Sequence, residues 1–281
     1  MRGQNGVRVI AVALFLLPVH VVYPHDVWLL PEQFILSKGD VIIVHQLAGS
    51  ELDVEVELPV LRTMTPSFSL ITSGGSVDLL SELPDIRTQP EVKPVLQRKV
   101  DIEGLVLLTM EHAFIHTEFS NEKFSEYLEH EGAETKTFHD HIERRSSQRE
   151  RYARTLKSLV RVGETAEGDL YKQAIGQKLE ILLLQNPYLM HPGDTLQVQI
   201  LFEGQTLADK LVTAFHEDGK QLVSTSTMNT NSEGIAEFAL DRAGFWLIRL
   251  VHLLPCTERY EGDCSDVDWE SYWTSYSFQL D

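Results

Sequence analysis

Cationic residues are scarce in this sequence of 281 residues. Lysine and arginine together number 24, against 42 aspartates and glutamates, which gives a formal net charge of -18. A phosphate backbone requires a cationic face, so this balance argues against a nucleic-acid partner. The same charge suits a soluble protein whose partners are neutral or cationic, and metal cations belong to that class.

Cysteine is almost absent as well. Cys256 and Cys264 are the two that occur, within "LLPCTERYEGDCSDVDW". In an oxidising compartment this spacing suits a disulfide that closes a small loop, which is our preferred interpretation. A metal-binding pair is the alternative, although the spacing does not match the tight arrangement of zinc knuckles.

Catalytic signatures are missing from the chain. There is no G-x-S-x-G turn, no phosphate-binding loop and no dinucleotide-binding fingerprint. Because 42 residues are acidic, a pair of carboxylates for acid–base chemistry can be picked almost anywhere, and such a choice carries no information. We therefore expect a protein that is not an enzyme.

A long hydrophobic run occurs only near the start, in "MRGQNGVRVIAVALFLLPVHVVYP". Arg2 and Arg8 precede an apolar stretch at residues 9–17, which predicts a secretory signal peptide over residues 1–24. The mature protein is then expected to be soluble and periplasmic or secreted, with no membrane span beyond the leader. The residues before His25 make a poor cleavage site because Pro24 is among them, so an uncleaved anchor is the alternative.

Alternating apolar patterns dominate the two ends of the remaining chain. "LSKGDVIIVHQLAGSELD" and "MHPGDTLQVQILFEGQTLAD" each have a Gly-Asp break, an alternating strand and a glycine turn. These patterns predict a mainly β protein of two immunoglobulin-like or prealbumin-like β-sandwich modules, at residues 25–119 and 176–281.

The segment between these modules, residues 120–175, has a different pattern. Ser120 or Asn121 is a suitable cap for a helix that ends at Gly132. Apolar residues in "TKTFHDHIERRSSQRERYARTLKSLVRVG" then predict a second amphipathic helix, or a helix pair, with an arginine-rich outer face in solvent. We expect this segment to be an α-helical insertion.

Several segments in order resemble one known family. They are "HDVWLLP", "KFSEYLEHEG", "RERYARTLKSLVRVG", "NPYLMHPGD", "DRAGFWLIRLVH" and "DWESYWTSYSFQL", and together they span nearly all of residues 25–281. The chain resembles the secreted bacterial family of domain of unknown function 4198, once described as NikM-like components of nickel uptake. The resemblance implies β-sandwich modules with a helical insertion, and it implies nickel or cobalt handling with a membrane metal-uptake system as partner.

Candidate metal ligands follow from that resemblance. If the leader were cut before His25, its amino group and imidazole together would chelate Ni, Co or Cu. Asp26 would instead accept a hydrogen bond that orients an imidazole ring. His252, Asp268 and Glu270 lie in segments that match the family and are the candidate remote ligands. The alternative is that "HDVW" begins the first strand, with its tryptophan in the core and its aspartate in a turn.

Other polar and aromatic groups have two interpretations each. His112 and His116 in "EHAFIH" suit packing or surface better than metal ligation. Trp269, Tyr272 and Trp273 suit either a stacking platform for sugars or the core of a final strand. The sequence therefore predicts an exported, non-enzymatic binding protein of the cell envelope, and a structural or interaction module that binds glycan or protein is the alternative.

Overall fold

Strands make up most of the computed structural model, which describes residues 25–83, 91–133, 138, 142, 145–217, 222–256 and 264–281. The prediction of a mainly β protein is confirmed. The predicted signal peptide at residues 1–24 lies outside the described residues. The strands are β1 (Asp26–Pro31), β2 (Ile35–Leu36), β3 (Val41–Ser50), β4 (Asp53–Glu57), β5 (Ser67–Thr72), β6 (Gly75–Asp78), β7 (Leu96–Lys99), β8 (Gly104–Ser120), β9 (Ser147–Val162), β10 (Leu179–Leu183), β11 (Asp194–Phe202), β12 (Gln205–Thr206), β13 (Leu211–Glu217), β14 (Leu222–Asn229), β15 (Ile235–Leu240), β16 (Gly244–Pro255) and β17 (Trp269–Leu280).

Helix α1 spans Asn121–His130, between β8 and β9, and short 3-10 turns span Arg62–Met64, Leu80–Glu82, Leu170–Lys172 and Pro187–Leu189. The predicted cap is confirmed, because the Ser120 side chain accepts a hydrogen bond from the Lys123 N–H at 3.4 Å. Gly132 follows the helix at a φ of +61°, a conformation that favours glycine. In the part of the chain that the structure describes, no helix is both long enough and apolar enough to cross a membrane.

Three sheets share the chain. The central sheet has nine strands in the order β14-β13-β16-β17-β9-β8-β5-β6, with β2 paired to β9. The N-terminal sheet contains β1, β3, β4 and β7, and the C-terminal sheet contains β10, β11, β12 and β15. Strand β9 lies parallel to β17 and antiparallel to β8. The central sheet thus takes strands from both halves of the chain.

The middle strands of the central sheet are buried on both faces. On β8, Val106 and Leu108 belong to the core shared with the N-terminal sheet. Their neighbours Leu105 and Leu107 belong to the core shared with the C-terminal sheet. Successive side chains of a strand point to opposite faces, so a strand in the middle layer must be apolar at nearly every position. This explains why β8 and β16 lack a clear alternation in the sequence.

Strand β1 lies at the edge of the N-terminal sheet, and serines of β17 satisfy its free carbonyl groups. The Ser275 hydroxyl donates to the Val27 carbonyl at 2.8 Å, and the Ser277 hydroxyl donates to the Leu29 carbonyl at 2.6 Å. Both serines are buried, and a buried hydroxyl without a partner is costly. These bonds fix the first strand over the central sheet.

The second predicted helix is wrong over residues 147–162. Residues 147–162 form strand β9, and they pair with β8 over most of its length and with β17 on the other side. The apolar residues of this segment fit a helical period because a strand buried on both faces has apolar residues at almost every position. Pairing with two long neighbours outweighs the local helix preference. In the part of 120–175 that is described, helix is found in α1, at Phe138 and Ile142, and in one short 3-10 turn.

The arginines of this segment also differ from the prediction. They are paired with acidic residues of the last strand region: the Arg149 side chain bonds Asp268, and Arg151 Nε donates to Glu270 Oε1 at 2.6 Å. They do not form a solvated helix face. The expected disulfide is confirmed, because Cys256 and Cys264 are bonded to each other.

A lysine and a glutamate lie buried between the central and C-terminal sheets. Lys157 on β9 and Glu180 on β10 have side chains only 1% exposed, and Nζ donates to Oε1 at 2.7 Å. Burial lowers the pKa of Lys157, while Glu180 opposes that shift. The backbone N–H of Ile175 donates to Glu180 at 2.7 Å, so the carboxylate is held from two directions. The pair joins two layers of the fold.

Removing one partner of this pair should destabilise the protein. We expect Glu180→Gln to cost about 3 kcal/mol of unfolding free energy, because Lys157 would then be charged and buried without a carboxylate. Urea unfolding at neutral pH measures the loss. The double variant Lys157→Met with Glu180→Gln should lose less than the single variant. Glu203→Gln, which breaks an exposed pair with Lys178, is the control and should cost less than about 1 kcal/mol. A Glu180→Gln loss as small as the control's would contradict this role.

Candidate functional site

A cavity of about 290 Å³ opens where β1, α1 and the central sheet meet. The first residues of β1 and the β3–β4 turn form one side, and the end of α1 forms the other. Strands β13, β16 and β17 form the floor. The cavity is lined by His25, Asp26, Gly49, Ser50, Glu51, Glu126, Tyr127, His130, Glu131, Phe215, Arg249 and Trp273.

Arg249 lines this cavity and is 5% exposed. Its Nε donates to Asp26 Oδ1 at 2.6 Å, and its Nη2 donates to Glu131 Oε1 at 2.8 Å. Nη1 donates to the other oxygen of Glu131, so that pair is bidentate. The three residues come from β1, from the residue after α1 and from β16. This triad therefore connects the N-terminal sheet, the helix and the central sheet.

The two carboxylates of the triad are not equivalent. Burial alone would raise the pKa of Glu131, but the Arg249 guanidinium and the His130 hydrogen bond bring it down to about 2. Burial raises the pKa of Asp26, and Arg249 offsets only part of that effect. Among the described residues, Asp26 Oδ2 has no hydrogen-bond partner, whereas both oxygens of Glu131 are bonded. Asp26 is the carboxylate with bonding capacity left.

The charge of the site is negative. With Asp26 and Glu131 at -1 each and Arg249 at +1, the triad carries -1 when all three are ionised. Glu51 and Glu126 also line the cavity and add negative charge. An anion would meet a guanidinium that is already neutralised, so the site favours a cation.

Aromatic rings form much of the wall. Tyr127 and Trp273 stack with ring centroids 5.8 Å apart and planes 5° apart. The Arg249 guanidinium carbon lies 5.5 Å from the Trp273 ring centroid. Phe215, from β13, is the third ring that lines the cavity. A pocket with apolar rings and a few polar groups is typical of small-molecule sites.

Two histidines stand at the rim. His130 Nδ1 lies 3.0 Å from Glu131 Oε1, and this hydrogen bond raises its pKa. His25 Nε2 lies 3.3 Å from Glu55 Oε2, and its Nδ1 lies 3.4 Å from the Ser50 hydroxyl. The alternative that "HDVW" begins the first strand is confirmed in part: β1 starts at Asp26 and Trp28 is 1% exposed, but the aspartate is in the strand and not in a turn.

Another carboxyl group is buried beneath α1. Tyr127 donates its hydroxyl proton to Glu150 Oε1 at 3.2 Å, and Glu150 Oε2 has no partner among the described residues. Burial raises the pKa of Glu150 to about 7; hydrogen bonds from Ser271 and Tyr127 and the charge of Arg154 oppose the shift. The negative charge of the nearby Glu131 carboxylate raises the pKa of Glu150 further.

The predicted remote metal ligands do not lie beside His25 and Asp26 in the structure. His252 points to the opposite face of the central sheet, where its ring lies 4.5 Å from the Phe202 ring. Burial, with a smaller effect of Lys210, lowers its pKa to about 3. Asp268 is bonded to Arg149 and Arg145, and Glu270 is bonded to Arg151.

These candidate ligands therefore do not converge on one point. In the described ranges, no group of three or more His, Cys, Asp or Glu residues could hold a metal ion. Each remote carboxylate already has an arginine partner, and His252 belongs to an apolar core. Metal binding stays a prediction that rests on the first two residues of the described chain.

The aromatic platform is wrong, and the core interpretation of these rings is confirmed. Trp269, Tyr272 and Trp273 are 0%, 6% and 5% exposed, so a sugar cannot stack on them as an open surface. His112 packs inside as expected, 3.0 Å from the Gln46 amide. In the segment "FHDHIERR", the histidines at 139 and 141 lie outside the described residues.

The sequence did not reveal Arg249 and Glu131 as members of a site. One signal was present: Arg249 is a single charge inside the apolar strand "GFWLIRLVHLLP". A charge that is carried into a core needs a buried partner. The identity of that partner could not be derived, because Asp26 and Glu131 are far from Arg249 along the chain.

The fold and the cavity define a mainly β protein with an internal, negatively charged pocket between its layers. The chain belongs to the family called Domain of unknown function (DUF4198), whose family model matches residues 22–253. No curated protein matches the chain.

Two solved structures have weak similarity to the chain. The D0-D1 domain of intimin is 12% identical, over 89% of this chain and 96% of that chain, with a TM-score of 0.21. A mutant Salmonella alpha-2-macroglobulin is 9% identical, over 90% of this chain and 15% of that chain, with a TM-score of 0.22. Similarity at this level supports no conclusion on activity or partners.

The buried Glu150 predicts a specific pH dependence. Its folded pKa of about 7 lies above its ordinary value of 4.5. The folded state therefore keeps a proton that the unfolded chain releases, and stability falls as the pH rises from about 4.5 to about 7. We expect Glu150→Gln to remove this loss, which amounts to about 3 kcal/mol for the full shift.

Urea unfolding at pH 4 and pH 8 tests this expectation. Relative to wild type, Glu150→Gln should gain about 3 kcal/mol more at pH 8 than at pH 4. Glu129→Gln is the control on the exposed side of α1 and should show no such difference. Equal effects of Glu150→Gln at both pH values would rule out a buried neutral carboxyl group.

Proposed function

We propose that the protein is an exported, non-enzymatic binding protein of the cell envelope, and that its ligand is a cation. The observation that carries the proposal is the pocket of Asp26, Glu131 and Arg249. It has net negative charge, it lies between β1, α1 and the central sheet, and one oxygen of Asp26 has no partner within the described residues. A buried carboxylate with an open oxygen gains stability when a positive charge approaches it.

Nickel or cobalt is the cation that family resemblance suggests, in transfer to a membrane uptake system. His25 and Asp26 are adjacent at the pocket, which supports this form of the proposal. The described residues offer no third ligand to complete a coordination sphere there. A transition metal would therefore need the free amino group of a chain cut before His25, or ligands from an added partner.

Export is proposed from the leader-like sequence at residues 1–24 and from the disulfide. A bonded pair at Cys256 and Cys264 suits an oxidising compartment such as the periplasm. We further infer two sandwich modules of immunoglobulin-like type that share the central sheet. The two large apolar cores, one on each face of that sheet, support this division.

A second candidate is an interaction module that binds another protein. Strand β4 is at the edge of the N-terminal sheet, and its Val54 and Val56 are 49% and 44% exposed. Exposed apolar side chains on an edge strand favour the addition of a strand from a partner. This candidate predicts binding that is lost when a charge is placed on β4 and kept when Asp26 is changed.

A cation titration tests the leading proposal. The full chain, produced with its own leader and purified without chelator, is titrated by calorimetry with Ni²⁺, Co²⁺, Cu²⁺ and a set of organic ammonium ions. We expect at least one cation to bind with a stoichiometry near one, and about 10-fold weaker binding to Asp26→Asn, which loses about 1.4 kcal/mol.

The control for this titration is Asp53→Asn, an exposed carboxylate on β4. It has the same change of charge outside the pocket and should bind as the wild type does. If no cation binds at millimolar concentration, or if both variants bind equally well, the pocket is not a cation site. Intact mass of the same sample shows whether the chain starts at His25.

A further inference from the structure

We propose that the pocket selects a small organic ammonium ion, with the ammonium group on Asp26 Oδ2 and an apolar body against Tyr127, Phe215 and Trp273. This inference rests on the cation-binding function proposed above and names its ligand class. It joins two independent observations, the open carboxylate oxygen and the aromatic walls of the same cavity.

The donor set of the pocket favours an ammonium ion over a metal ion. A metal ion requires several donor atoms around one point, and the described chain has no such group. An ammonium ion needs fewer protein atoms around it. Its own N–H groups donate, and a single carboxylate oxygen is enough to accept a charge-assisted hydrogen bond from it. Glu131 is less suited to this role, because both of its oxygens accept from Arg249 and Oε1 also lies within hydrogen-bond distance of His130.

Arg249 sets the sign of the ligand's charge. Its guanidinium faces two carboxylates and lies against the Trp273 ring, so it has little attraction left for an anion. A neutral ligand would leave the Asp26 charge buried with one side unpaired. An ammonium ion restores the charge balance of the triad to zero. Burial raises the pKa of Asp26, which is the behaviour of a carboxylate whose charge is not fully compensated.

The walls and the volume limit the rest of the ligand. Aromatic faces attract cations and also pack against methylene groups. At about 30 Å³ for each water-sized group, a cavity of about 290 Å³ accepts about ten non-hydrogen atoms. A short alkylammonium or an arylethylammonium ion fits within that limit, whereas a peptide or an oligosaccharide does not.

The test compares charged and neutral molecules of one shape. The full chain is titrated with butylammonium and 2-phenylethylammonium chloride, with 1-butanol and 2-phenylethanol as neutral counterparts, and with Ni²⁺. Heat is measured by calorimetry, and the intrinsic fluorescence of the four tryptophans, of which Trp273 lines the pocket, is followed in parallel. We expect one ammonium ion per chain, and binding at least about 10-fold weaker for its neutral counterpart, which corresponds to about 1.4 kcal/mol.

Two variants locate the binding. Asp26→Asn keeps an oxygen for Arg249 but removes the charge, and it should weaken ammonium binding about 10-fold or more. Ser50→Phe fills the exposed rim of the cavity without touching the triad. Ser50→Phe should also weaken binding, and it provides the test if Asp26→Asn does not fold. Asp53→Asn on β4 should bind as the wild type does.

The outcomes separate this inference from the function on which it rests. Ammonium binding that both pocket variants weaken supports both. Binding of Ni²⁺ at the pocket without any ammonium binding overturns the ligand class and leaves a cation-binding protein. No binding of either kind overturns both. Ammonium binding that the two variants leave unchanged, or that the neutral alcohols match, overturns the assignment of the ligand to Asp26.

Discussion

Burial of the middle strands of the central sheet on both faces is the constraint on which the rest of this structure depends. The middle strands lie between two smaller sheets and a helix, so Lys157 on β9 and Arg249 on β16 point into a layer and not into water. A charge buried in this way must be paired. On the face packed against the C-terminal sheet, Lys157 is paired with Glu180. On the face packed against the N-terminal sheet, Arg249 is paired with Asp26 and Glu131.

The Lys157–Glu180 pair and the Arg249 triad differ in whether a carboxylate oxygen remains without a protein partner among the described residues. Glu180 is held by Lys157 and by backbone N–H groups in a closed layer, so that pair is structural. The Arg249 triad lies between the N-terminal sheet and α1. These two elements pack on the same face of the central sheet and leave a gap between them. A cavity remains at this junction, and one oxygen of Asp26 has no hydrogen-bond partner among the described residues there. The candidate site thus results from the packing of α1 and the N-terminal sheet side by side on one face of the central sheet.

Much of the local structure could be predicted from the sequence. The cap at Ser120, the stop at Gly132 and the disulfide between Cys256 and Cys264 are short-range features, and all three are confirmed. The failure at β9 has a physical cause. A strand buried on both faces loses its alternation, and its apolar residues then match a helical period equally well. For the site, the sequence pointed to Asp26, but its partners come from distant elements.

The sequence by itself determined the mainly β character, the first helix, the acidic charge and the presence of one arginine inside an apolar strand. These depend on composition and on neighbours within a few positions. The tertiary structure alone decided that β9 is a strand, that His252, Asp268 and Glu270 lie apart from His25, and that Arg249 faces Asp26 and Glu131. Contacts between residues more than a hundred positions apart set these features, and no local pattern records which distant strand or helix a side chain will meet.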